Sequence, residues 1–321
     1  MMRLSRSGLI TALGASLALP LLPARSWAAG PIALKVAAAG DDDITPILYG
    51  QQAGIFAKNG LSVELDALSS GSATAAAVAG GSVDIGKSSL TSLIAAHARG
   101  LAFEIIAPAS VYSDAAPVAG FVVGKDAGVT SIKDLNGKVV AASSLKDLIA
   151  VATQAWIDDN GGDSKTVKFI ELPSSAVAAA LENGRIAGAT MLTPALARAL
   201  DSGKGRLLGK SFSAISKHFL IAGWFSTKDW LTKNNDTAHR FLDAFREAAA
   251  YTDTHRNETV DLLANYSKIS PQTVRGMQRS TAGRVVDPKD IEPVIAACVR
   301  YGVIDKPFPA SELISSLAAT H

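Results

Sequence analysis

Five turns of this 321-residue sequence place small polar residues just ahead of an apolar helical pattern. They are Gly40 to Thr45, Ser69 to Ser72, Lys87 to Leu90, Ser143 to Lys146 and Thr190 to Thr193. At the start of a helix the first backbone N–H groups lack intrahelical partners and the dipole is positive, so such turns suit an anionic group. Ser and Thr hydroxyls add donors without fixed charge. Ligand contacts are therefore expected from Ser70, Gly71, Ser72, Ser88, Ser89, Ser143, Ser144, Thr190 and Thr193. Asp42 is included from the first turn, although three successive acids, Asp41 to Asp43, would repel an anion if all faced it. The plainer account has one acid capping the helix and the others in water. Ser is also a common N-cap, so the expectation rests on the set of turns rather than on one serine. Lys87 and Lys146 could each pair with an anion, but a solvated surface role is the simpler reading. Trp224, on a late apolar strand, is a candidate wall for an apolar ligand body.

Catalytic patterns are missing. The five histidines, His97, His218, His239, His255 and His321, show no metal-ligand spacing. There is no Gly-x-Ser-x-Gly elbow, and the Gly-Lys-Ser at Gly86 to Ser88 is read as a chance match rather than a phosphate loop. Cys298, the single cysteine, lies in an apolar helical pattern and reads as a small core residue. No enzyme activity, metal or cofactor is expected.

The elements that position these turns follow from periodicity. Strand, hydroxyl-rich turn, helix and strand repeat from about Lys35 to Ala107, and again from Lys138 to Met191, each with a mostly parallel pattern. One helix is expected from about Ile44 to Gly60, with Asp43 or Thr45 as cap, and another from about Leu145 to Asp159, opened by Ser143 and Ser144. Val118 to Val123 reads as a strand leading out of the first unit, and Phe219 to Phe225 as one returning to it. The remainder reads as helices, with Phe241, Leu242 and Phe245 as a core stripe. This predicts an α/β protein of two lobes: residues 29–124 with 210–321, and an inserted lobe, 125–209. Two connecting segments would form a hinge, and a ligand between the lobes would favour closure.

The first residues carry a separate signal. Arg3 and Arg6 precede an apolar run from Gly8 to Leu22, and small residues, Ser26 and Ala28, occupy the −3 and −1 places of a cleavage site. Residues 1–28 read as a secretory signal peptide. The run of roughly fifteen residues is short for a membrane span. The formal charge of +2 falls to about −1 without that segment, which leaves no basic excess for nucleic acid. A soluble periplasmic monomer is expected.

Several ordered segments carry a family resemblance: LKVAAAG, ILYGQQAGIFAKNGLSVEL, SGSATAAAVAGGSVDIG, GVTSIKDLNGKVVA and LENGRIAGATMLTPAL. Together they resemble the periplasmic substrate-binding proteins of ABC importers for sulfonates, taurine, nitrate and thiamine-precursor pyrimidines, the NMT1/THI5-like group. The resemblance implies a type II periplasmic-binding fold, a small organic solute in the interlobe cleft, and a membrane permease and ATPase as partners. A small organic anion, a sulfonate, carboxylate or aromatic acid, is the expected ligand. A pyrimidine receptor, a ligand-presenting sensor and an enzyme like those of pyrimidine synthesis are the alternatives. Many members of the group carry an acid before the proline where this chain has Thr193-Pro194, which argues against an amino-sulfonate such as taurine.

Overall fold

A computed structural model describes residues 30–68 and 70–319. The expected signal peptide, 1–28, and Ser69 lie outside them. Two five-stranded sheets organise the chain from Pro31 onward. In the first, β1 (Ile32–Ala38), β2 (Leu61–Ala67) and β3 (Ile85–Ser89) are parallel, while β10 (His218–Thr227) runs antiparallel between β3 and β4 (Phe103–Ser113). In the second, β6 (Val139–Ala142), β7 (Lys168–Glu171) and β8 (Gly188–Leu192) are parallel, and β5 (Ala119–Gly124) is antiparallel to β8 and to β9 (Gly205–Gly209). Parallel strands need crossover connections, and helices supply them, covering the sheet faces. That is why β3 is buried along almost its whole length.

The first half contributes α1 (Thr45–Gln52), α2 (Ile55–Lys58), α3 (Gly71–Ala79) and α4 (Leu90–Ala98). Around the second sheet lie α5 (Leu148–Asp159), α6 (Ser174–Glu182) and α7 (Ala195–Asp201). The chain ends with α8 (Lys228–Lys233), α9 (Asn235–Thr254), α10 (Val260–Ser267), α11 (Pro271–Gly276) and α12 (Pro288–Arg300). On α9, Phe241, Leu242, Phe245 and Ala248 recur at helical spacing and are all buried, as the apolar stripe predicts. Cys298 is buried on α12, and its apolar surroundings push the thiol up to about 12.

Three expectations are corrected. The helix expected from Ile44 to Gly60 is broken, because Gly54 takes φ = +70° and separates α1 from α2. The strand Ala119–Gly124, assigned from sequence to the lobe ending at residue 124, belongs to the second sheet. Hydrophobic alternation marks a strand without saying which sheet it joins. The first crossing therefore falls between Ser113 and Ala119, and the second between Gly209 and His218. Asp114 ties these crossings together. Its carboxylate accepts from Tyr112 Oη at 2.7 Å and Ser213 Oγ at 2.8 Å, and its carbonyl accepts from Lys210 Nζ at 3.0 Å. Lastly, α5 starts at Leu148 rather than near Leu145, for a reason that belongs to the site. Among the described residues, no helix is long and apolar enough to cross a membrane.

Candidate functional site

The parallel strands of both sheets end at one cavity of about 120 Å³. The turn after β1 supplies Ala39, Asp41 and Asp43; the starts of α3 and α4 supply Ser70, Gly71, Ser72, Ser88, Ser89 and Ser92. From the other sheet come Ser143, Ser144 and Asp147 before α5, and Ser174 at the start of α6. Leu148, Ile149, Leu192, Phe212, Ile221 and Ala222 form the apolar wall. Ligands of open α/β sheets are expected beyond the carboxyl ends of parallel strands, and this cavity obeys that rule.

Ser70, Gly71, Ser72, Ser88, Ser89, Ser143 and Ser144 thus come together around one space. Ser70 caps α3, accepting the Ala73 N–H at 3.2 Å, and lies 3.0 Å from the hydroxyl of Ser72. Ser88 Oγ donates to the Gly71 carbonyl at 2.9 Å, which locks the start of α3 to the strand that feeds α4. Gly71 is required by that approach: a Cβ there would lie 2.6 Å from Ser88 Oγ and 2.9 Å from Ser89 N. Gly71→Ala should push the two helix starts apart. Since a lost, positioned hydrogen bond is worth roughly 1–3 kcal/mol, affinity should fall about tenfold or more, read by titration calorimetry against any organic acid that the unaltered protein binds.

Asp42, Thr190, Thr193 and Trp224 do not line this cavity, and each has a physical reason. Asp42 is 2% exposed and is held from behind: Arg279 Nε donates to Oδ1 at 2.7 Å and the Ser280 N–H to Oδ2 at 2.5 Å. Thr190 is buried under α5, bonded to Thr153 Oγ1 at 2.7 Å and Ser211 Oγ at 2.8 Å. Thr193 is buried beside a different groove, between α7 and α11. Trp224 is fully buried, its ring 6.0 Å from Phe241 and 5.7 Å from Phe245. The apolar wall near it comes from Ile221 and Ala222 instead.

The acids of the first turn neither cap α1 nor all face water. Asp43 is buried and ion-paired with Lys87, which also lies 3.5 Å from Asp41 and donates to the Ala39 carbonyl at 3.3 Å. Lys87 is 3% exposed, not a solvated lysine. Burial alone would lower its pKa, but the Asp43 and Asp41 carboxylates outweigh it and hold the ammonium above its ordinary value. Burial also raises Asp43, an effect that Lys87 only partly offsets. The charge of Lys87 is thus met by two carboxylates of the chain rather than left for an anion.

Asp147 is the main residue that the sequence pattern hid. Its carboxylate accepts from Ser143 Oγ, from the Ser144 N–H at 3.0 Å and from the Ala150 N–H at 2.9 Å. Asp caps a helix as well as Ser does and can gather several donors at once. It therefore moves the start of α5 to Leu148 and leaves Ser143 and Ser144 in the turn. Burial pushes its pKa up to about 6 against those hydrogen bonds. The spacing Ser-Ser-x-x-Asp ahead of an apolar run was the available signal. At α6 the N-cap is Pro173, so Ser174 occupies the first turn with its hydroxyl at the cavity.

Comparison with known proteins bears on the fold and the family. A curated Bacillus subtilis (strain 168) protein named as an aliphatic sulfonates-binding protein is 24% identical over 245 residues, 74% of this chain and 71% of that protein. The crystal structure of the periplasmic aliphatic sulphonate binding protein of Escherichia coli superposes with a TM-score of 0.72 at 17% identity, covering 89% of this chain and 98% of that one. The periplasmic nitrate-binding protein of Synechocystis PCC 6803 gives 0.73 at 16% identity, covering 85% and 82%. The two lobes therefore have the periplasmic-binding-protein fold. The family model described as NMT1/THI5 like matches residues 41–259, which include every strand of the second sheet and all the polar residues of the cavity, and the chain belongs to that family.

Proposed function

We propose that this solute-binding protein of an ABC importer captures a small organic anion, a sulfonate or carboxylate, between its lobes. The observation that carries the reading is the convergence of the starts of α3, α4 and α6, with their serine hydroxyls, on one cavity. Such a site holds an anion through dipoles and hydrogen bonds, without a charged clamp, and it fits a relative named for aliphatic sulfonates. Closure of the lobes brings both sets of turns onto the solute. The protein then acts as a periplasmic monomer, delivering the solute to a membrane permease and its ATPase. None of its groups is asked to make or break a bond.

A second reading has one observation in its favour. Asp41, Asp43 and Asp147 all line the cavity against the single ammonium of Lys87. That balance suits an amine-bearing solute, such as the pyrimidine precursor of thiamine. Asp147→Asn decides between the two, because Asn still caps a helix but carries no charge. For an anion, loss of that charge should tighten binding about tenfold at about pH 7.5. The unaltered protein should tighten in the same direction between about pH 7.5 and about pH 5.5, as Asp147 takes up its proton. For an amine, the substitution should weaken binding. Calorimetry of both proteins against organic acids and aminopyrimidines reads the sign, and tight binding of amines alone defeats the anion reading.

A further inference from the structure

The inner cavity does not end at its serines. Ser72, Ser92, Ser144 and Asp147 also line an outer chamber of about 480 Å³, so these four residues form a waist between two spaces. Beyond the waist the walls change character. Ala75 and Ala76 of α3 and Ala95 and Ala96 of α4 present methyl groups where larger side chains would fill the chamber. At its edge stand Leu101, 41% exposed, and Leu145, 47% exposed, one from each lobe. They are two of the five exposed large apolar residues of the described chain. Large apolar side chains left in water on both sides of an opening mark a place where something apolar is received.

The same chamber carries two cations. Arg99 and Lys146 line the chamber, and neither side chain has a hydrogen-bond or ion-pair partner among the described residues. Two acids also line the chamber: Glu171, which accepts the Leu145 N–H at 3.0 Å, and Asp147 at the waist, whose carboxylate is held by Ser143, Ser144 and Ala150. The inner cavity, by contrast, has its cation, Lys87, saturated by its own carboxylates. Among the described residues, cationic side chains without an ion-pair partner are therefore found at the outer end.

Building on the anion reading above, we propose that the solute is an elongated organic diacid. One acidic head lies at the helix starts of the inner cavity. An unbranched apolar chain passes the waist and lies along the alanines between Leu101 and Leu145. A second acidic group ends at Lys146 and Arg99.

Calorimetry with propanesulfonate, octanesulfonate and octanesulfonate carrying a carboxylate at its far end tests this, with the matching carboxylate-headed set alongside. The octyl probe should bind about tenfold tighter than the propyl probe. The far carboxylate should add about threefold at low salt, a gain that Lys146→Ala with Arg99→Ala removes. Ala76→Phe, an exposed helix position, should bring the long probes down to the propyl affinity and leave the propyl probe unchanged. Equal binding of propyl and octyl probes, or an equal loss of all probes in Ala76→Phe, overturns the outer subsite while leaving the anion reading intact. Absence of binding by every acid, short or long, removes both.

Discussion

Replacing Arg279 by Met should lower the unfolding free energy by about 3–5 kcal/mol, the usual cost of removing one partner from a buried ion pair. Arg279 and Asp42 bury their side chains to 8% and 1% exposure, so water cannot take over from the lost guanidinium. The arginine also spans elements far apart in sequence. Besides Asp42, it donates to Thr45 Oγ1 at 3.2 Å and to the Arg256 carbonyl at 3.3 Å, joining the start of α1 to the segments around α10 and α11. Met fills much of the stem volume but none of these bonds. Only neutral donors, the Ser280 N–H and Thr45 Oγ1, would then face a buried carboxylate. Urea unfolding should show a lower midpoint with an unchanged slope. Adding Asp42→Asn should return a large part of the loss, because the uncompensated charge is then gone. A single variant within about 1 kcal/mol of the parent would mean that the pair has no stabilising role.

Lys87→Met should cost a similar amount, but its cost should depend on pH. The side chains of Lys87 and Asp43 are 4% and 6% exposed, and Asp43 already sits above the ordinary carboxylate range because of its burial. Without the ammonium, desolvation acts alone and raises Asp43 further. A carboxyl whose folded pKa exceeds its unfolded value binds its proton more tightly in the folded state. Its stabilising contribution is then present at low pH and is lost as pH rises through the folded pKa. The deficit of Lys87→Met against the parent should therefore be small at about pH 5 and reach about 3–5 kcal/mol by about pH 8. Adding Asp43→Asn should flatten that dependence. Urea titrations at the two pH values supply the check, and equal deficits at both would show that Asp43 does not carry the effect.

These two pairs also explain where sequence reading stopped. Asp41, Asp42 and Asp43 look alike in sequence, and nothing local separates them. Their roles are divided by partners 237 and 44 residues away, Arg279 for Asp42 and Lys87 for Asp43. Lys87 lies inside the short strand β3, where β10 returns beside it with Trp224 opposite in the register. Trp224 itself is an apolar residue on an apolar strand; only the packing of α9 against that strand turns its ring away from the cavity. The strand Ala119–Gly124 was legible as a strand, yet its membership of the second sheet depends on pairing with β8 and β9, which come much later in the chain.

By itself the sequence determined the alternation of strands and helices, the serine-bearing turns that start α3 and α4, and the burial of Cys298 and the α9 stripe. All of these follow from local spacing: a period of two or 3.6, a cap residue, a glycine that allows close approach. The tertiary structure alone decided which polar groups share a space. It retired Asp42, Thr190, Thr193 and Trp224 from the cavity, and brought in Asp147, Asp43 and Lys87. The reason is that a buried charge goes where its partner is, and the partner's position is a property of the fold rather than of the neighbouring residues.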